Sequence, residues 1–318
     1  MSDMPKFVDI NEEGPREGFQ FEKGAISTAR KIELIDALSQ TGLKQIQVAS
    51  FVNPRNVPGW ADADEVVARF EKKPGIRYTA LWLNAKGFER AVAAKRLDIQ
   101  GSISLTASET FLKRNQNRTM AQNLEAQRDM IALYKHHGVT VDRASIMAAF
   151  GCNFEGEVPV ATVLGLIDRV FELAQEHQLS IKIVSLADTM AWATPLAIKR
   201  MIGAVRERHP DLRLALHLHD TRGMGIANAL AGLEVGVDVF DAAVAGLGGC
   251  PFAAHKGAAG NVCTEDLVFM LHEMGINTGI DLDKLIAAAE LAEDIVGHPL
   301  PGSVKVGGAL DRMRAKRH

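Results

Sequence analysis

Eight short apolar runs set against helical periodicity most limit what this chain can fold into. The runs fall at 7–10, 45–48, 77–83, 98–104, 140–147, 180–186, 213–217 and 239–244, and helical patterns separate them, among them 121–136, 159–177, 195–209 and 224–236. The first repeat shows the form. Phe7-Val8-Asp9-Ile10 leads into a polar turn at 11–18, then Ile32, Ile35 and Leu38 recur at helical spacing behind Ser27 and Thr28 until Gly42. Short apolar strands alternating with helices favour parallel pairing. Eight such repeats in 318 residues predict an α/β protein, a closed (βα)8 TIM barrel rather than an open doubly wound sheet. Helical patterns at 265–274 and 282–296 follow, and no linker composition divides the chain. We therefore expect one barrel domain over 1–280 and a short C-terminal helical extension with a basic tail over 281–318.

Charge and composition exclude several functions. With 36 Lys and Arg against 39 Asp and Glu, the net charge of -3 leaves no face-wide basic surplus for neutralising phosphates, so no nucleic-acid partner is expected. No run approaches the roughly 18 apolar residues of a membrane span, and residues 1–6 lack a leader pattern, so we expect a cytoplasmic protein with no membrane partner. Cys152, Cys250 and Cys263 form neither a CxxC pair nor an even framework, which suits free thiols in a reducing compartment.

The seventh run ends unusually. Leu212, Leu214, Ala215 and Leu216 give way to His217-Leu218-His219-Asp220-Thr221, just before Gly223. Residues two apart on a strand share a face roughly 6–7 Å apart, so His217 and His219 can hold one cation between them. In a (βα)8 barrel the active site is built at the C-terminal ends of the strands. Glu12, Arg16 and Glu17 follow strand one, Gln47 and Ser50 strand two, Asp188 and Thr189 strand six, and Gly246-Leu247-Gly248-Gly249-Cys250-Pro251 strand eight. Acids, a guanidinium, imidazoles and a thiol thus fall on one rim. Two imidazoles with a carboxylate make a mixed N/O set compatible with Mg²⁺, Mn²⁺ or Zn²⁺. Asn261 can add an amide oxygen. Cys250, alone in a glycine-rich loop, resembles a lid that delivers a thiol. A thiol of ordinary pKa near 8.5 stays mostly protonated at neutral pH and suits proton donation to a carbanion as well as nucleophilic attack. Cys152 and Cys263 lack that setting and read as inert fillers. No phosphate-loop spacing is present.

The segments GPREGFQ, SFVNP, SLADT, HLHDT, AGLGGCPF and GAAGNVCTEDLV, in this order, resemble the 3-hydroxy-3-methylglutaryl-CoA lyases of the metal-dependent lyase/aldolase barrels. The resemblance runs from Phe7 to about Gly279. It implies a divalent-metal barrel that cleaves a 3-hydroxyacyl-CoA by a retro-Claisen reaction to acetyl-CoA, or a related acyl-CoA, and an oxo acid. It also implies Glu17, His217, His219 and Asn261 as metal ligands. Arg16 becomes the residue facing the thioester enolate and Cys250 the lid thiol; His217, in preference to Asp188, is expected to accept the hydroxyl proton. Gln20, Gln47, Thr221 and Gly248 become substrate contacts. Lys23 and Lys86 are candidate partners for CoA phosphates, and a homo-oligomer, dimer or tetramer, is expected.

Two positions depart from the family pattern: Glu17 stands where Asp is usual, and Gln47 where Glu is usual. Trp192, Arg222, Phe19 and Phe252 also differ. An extra methylene moves a carboxylate by about 1.5 Å. These changes lead us to expect an altered 3-hydroxyacyl-CoA substrate, or a metal site to which Glu12 or Glu13 contributes. Two other functions stay open on the residues: a Claisen-condensing acyltransferase of the same superfamily, and a metal protein that binds acyl-CoA with impaired turnover.

Overall fold

The computed structural model describes residues 4–22, 24–249, 259–311 and 314. Cys250, Phe252, Lys23 and most of the basic tail, on which several expectations fall, lie outside the described residues. The chain gathers into two compact units. A terminal unit holds Lys6–Asp98, Asp241–Gly249 and the chain from Ala259; a central unit is built on Ile99–Phe240.

In the terminal unit, strands β1 (Asp9–Glu12), β2 (Gln45–Ser50) and β3 (Arg77–Leu81) pair in parallel, with Asn11 opposite Gln45 and Gln45 opposite Arg77. The β2–β3 register slips between Gln47 and Ala49. The central unit carries β4 (Gly101–Thr106), β5 (Val141–Met147), β6 (Ile183–Ala187) and β7 (Arg213–His217), parallel in the order β7-β6-β5-β4. The chain leaves the central unit within β8 (Val239–Ala242), whose last residues lie beside β1 in the terminal unit. There the Glu13 N–H donates to the Ala242 carbonyl at 2.8 Å, and Asn11 Nδ2 donates to Asp241 Oδ1 at 2.8 Å.

The strands fall within three residues of the eight runs read from sequence. The first is displaced, from 7–10 to Asp9–Glu12. Phe7 is 43% exposed and makes only an isolated bridge to Asn277, whereas the polar Asn11 and Glu12 are buried and hydrogen-bonded. Hydropathy ends a strand at its first polar residues, but a buried polar group with partners carries little penalty.

Helices follow the strands for a visible reason. Val160–Glu176 buries Val163, Leu166, Ile167, Val170, Leu173 and Ala174, one apolar stripe at helical spacing. Ser27 Oγ accepts from the Arg30 N–H and starts Thr28–Leu38. In the terminal unit that helix is tied to Leu282–Val296 by an Arg30–Asp294 ion pair. A hairpin, Gly151–Cys152 against Gly156–Glu157, interrupts the path after β5 and has no signal in the apolar pattern. Cys152 and Cys263 are buried, as fillers should be. Among the described residues, no helix is long and apolar enough to cross a membrane.

Candidate active site

Each unit presents part of the constellation at the C-terminal ends of its strands. In the terminal unit β1 ends in a turn, Gly14–Gly18, with all five residues buried. Three buried donors pin its base to Glu12. Glu12 Oε1 accepts from the Gly14 N–H at 2.7 Å and the Val244 N–H at 2.9 Å, and Oε2 accepts from Thr264 Oγ1 at 2.6 Å. Trp60 Nε1 donates to the Arg16 carbonyl at 2.8 Å.

This turn holds Arg16 in a polar cradle. Its Nε donates to Gln47 Oε1, and its Nη2 pairs with Glu13 Oε2 and lies 3.1 Å from Glu17 Oε2. Burial would lower the guanidinium pKa, but Glu13 and Glu17, with Asp241 behind them, raise it instead. Arg16 is therefore a fixed cation. Among the described residues its Nη1 has no protein partner.

Glu17 also reaches the glycine-rich loop. Its Oε1 accepts from the Gly249 N–H at 3.0 Å and from Asn261 Nδ2 at 2.9 Å. Asn261 Nδ2 also donates to the Leu247 carbonyl at 3.1 Å. The Nδ2 group is thereby committed, while Asn261 Oδ1 is buried with no hydrogen-bond partner among the described residues. Gly248 has φ +85°, and a Cβ there would stand 2.7 Å from Asn261 Nδ2 and 2.8 Å from Glu17 Cγ. Only glycine fits that approach. Gln20 Oε1 is likewise buried without a partner.

In the central unit β6 and β7 deliver the other half. The Asp188 N–H donates to the His217 carbonyl at 2.8 Å, which brings the two strand ends together. Asp188 Oδ1 accepts from the Trp192 N–H at 2.7 Å and the Ala193 N–H at 3.0 Å, while Oδ2 is buried and has no hydrogen-bond partner among the described residues. Burial raises its pKa against the pull of the Ala193 N–H and of His219. Arg222 Nη1 donates to the Met190 and Ala191 carbonyls and braces this loop, in which Ala191 has φ +54°. The imidazoles meet as the strand spacing requires, with His217 Nε2 3.3 Å from His219 Nε2. Two nitrogens bound at about 2.1 Å and a right angle to one cation stand about 3 Å apart, so this pair fits a shared ion. Thr221, half-buried, opens the turn beyond.

The structure thus gathers Arg16, Glu17, Gln47, Gly248 and Asn261 in the terminal unit, and Asp188, His217, His219 and Thr221 in the central unit. Glu12 and Glu13 are not spare metal ligands. Glu12 is sealed under the first turn and Glu13 is held by Arg16. Sequence reading missed the bracing role of Glu12, because nothing in its pattern distinguishes a buried acid from a loop acid.

Burial pushes the Glu12 carboxyl to about 8 and that of Glu265, on the next helix, to about 7. An acid whose folded pKa lies above its unfolded value of 4.5 binds its proton more tightly when folded. Its contribution is complete below about pH 4.5 and is lost as pH rises to about 8, at about 1.4 kcal/mol per unit of separation. Thermal stability should therefore fall between about pH 5 and 8, and Glu12→Gln should flatten that slope. Melting curves across the range check this; equal slopes in both proteins would refute it.

Residues 7–292 match the family model described as HMGL-like. The chain is 42% identical over 287 residues to the cytoplasmic 3-hydroxy-3-methylglutaryl-CoA lyase of Mus musculus, covering 90% of this chain and 80% of that one. The HMG-CoA lyase of Bacillus subtilis superposes with a TM-score of 0.87 at 37% identity, over 96% of this chain and 99% of its own. An HMG-CoA lyase from Acinetobacter baumannii, solved with coenzyme A and 3-methylmalate, gives 0.86 at 36% identity, over 97% of both chains. The α/β class read from sequence, a (βα)8 TIM barrel with a helical C-terminal region, agrees with these matches.

Proposed function

The chain belongs to the HMGL-like family, and on that premise we propose that it is a divalent-metal-dependent 3-hydroxy-3-methylglutaryl-CoA lyase. The reaction gives acetyl-CoA and acetoacetate. One observation carries this reading: two facing imidazole nitrogens beside a buried acid with one uncommitted oxygen, at neighbouring strand ends.

His217, His219, Asn261 and Glu17 would hold the cation, with Mg²⁺ or Mn²⁺ favoured by the mixed N/O set and Zn²⁺ also accommodated. The buried Asn261 Oδ1 supports this assignment, since an orphan acceptor is costly without a partner. When bound, the ion lowers the pKa of the substrate's tertiary hydroxyl and polarises it.

The chain's own groups supply the rest. With His217 Nε2 committed as a ligand, Asp188 Oδ2 is the acceptor better placed for the hydroxyl proton. As that proton leaves, the C3–O bond becomes a carbonyl and the C2–C3 electron pair passes into the thioester as an enolate. Arg16 Nη1 donates to the enolate oxygen, and Cys250 returns a proton to C2. Gln20, Thr221 and Gly248 contact the substrate, while Gln47 acts through Arg16. We further assign residues 1–280 to the catalytic barrel and 281–318 to an extension, in a cytoplasmic homo-oligomer.

Steady-state assay with 3-hydroxy-3-methylglutaryl-CoA tests the function. Turnover should vanish after chelation and return with Mg²⁺ or Mn²⁺. Activity indifferent to chelation, or none with metal restored, would overturn the assignment.

A further inference from the structure

Arg16 is nearly buried, and its guanidinium is held on two of its three nitrogens by side chains of the terminal unit. Glu13 takes Nη2 and Gln47 takes Nε. These two partners also meet each other: Gln47 Nε2 donates to Glu13 Oε1 at 3.5 Å. The β2–β3 register slips just after Gln47, before Ala49, and such irregularities re-aim neighbouring side chains. Glu17, the third neighbour, is tied by Oε1 to Gly249 and Asn261 and belongs to the ligand set.

We propose that Glu13 is the positioning residue for Arg16, and that Gln47 is its neutral counterpart because the pair tolerates one carboxylate only. The inference rests on the lyase reading and concerns the orientation of its enolate-facing cation. A buried cation needs a paired anion. Glu13 supplies it from three residues upstream, on the same turn, so charge and orientation are set together. An acid at 47 would face Glu13 at the distance where the amide now donates, and like charges so close oppose ionisation of both. Anchored at Nη2 and Nε, the fork leaves Nη1 for the substrate. Without Glu13, it is free to rotate toward Glu17.

Moving the charge tests this. Glu13→Gln should lower kcat about 10–100-fold, the cost of misplacing a catalytic group by an ångström or so, with KM changed little. Gln47→Glu alone should also slow turnover. Combining them returns one carboxylate to the cradle and should recover most of the lost kcat. A merely structural Glu13 would not be rescued by charge at a different position. Unchanged kcat in Glu13→Gln, or a double variant no faster than that single, overturns the proposal. If Glu13→Gln fails to fold, the double is compared with Gln47→Glu: a faster double supports the pairing and an equal or slower one defeats it. Absence of turnover in the unmodified protein would defeat the lyase reading instead. Calorimetric titration with acetyl-CoA then decides, with affinity lost in Glu13→Gln and restored in the double; equal affinities in all three proteins overturn it.

Discussion

Replacing His219 with alanine should abolish measurable turnover and strip the protein of its divalent cation. His219 is 2% exposed, and its Nε2 faces that of His217 at 3.3 Å, so its loss leaves a single imidazole to anchor an ion from this unit. Disturbing even the groups behind a metal ligand typically costs about 10–100-fold in affinity, and removing a ligand should exceed that. The backbone bond from the Asp188 N–H to the His217 carbonyl does not use the His219 side chain, so the metal-free variant should still fold and show a cooperative melt. Titration calorimetry with Mn²⁺, read beside kcat, checks both halves. A variant that binds Mn²⁺ as well as the unmodified protein would remove His219 from the ligand set.

Arg16→Gln should lower kcat about 10²–10³-fold, the loss expected when a preorganised donor to a developing oxyanion is removed. It should also destabilise the protein. Glu13 and Glu17 share this cation and are themselves nearly buried, and removing one partner of a buried ion pair costs about 3–5 kcal/mol. Arg16→Lys separates the two effects. The ammonium retains the charge and most of the stability, but it lacks the planar fork that meets Gln47 and Glu13 together, so its rate should lie between the other two. Turnover and thermal melts of the three proteins check this. A glutamine variant within tenfold of the original rate would show that the enolate is stabilised elsewhere.

Much of this was legible in residue order. The eight runs became eight strands because their apolar residues, such as Ile46 and Val48, Ile103 and Leu105, or Leu214 and Leu216, are buried. The spacing of His217 and His219 carried over directly, since the pleat puts alternate residues on one face. Glu17, His217, His219 and Asn261 were singled out from rim position and family resemblance. Asn261 gained a physical reason once the amide was seen to commit Nδ2 and leave Oδ1 open. Other features had no local signal. The displacement of β1, the hairpin after β5 and the Arg222 brace on the Asp188 loop depend on partners far away in sequence.

The first turn shows the division most clearly. By itself, the sequence determined the parallel α/β repeat, the paired imidazoles, and the presence of Arg16 among acids and amides, because apolar period and residue spacing act over a few positions. It could not say which acid does what. Glu12, Glu13 and Glu17 lie within six residues of one another, yet Glu12 is buried under Thr264 and Val244, Glu13 turns to Arg16, and Glu17 reaches Gly249 and Asn261. Only tertiary structure assigns those roles, since a buried carboxylate is fixed by its donors, and these come from segments up to 252 residues away.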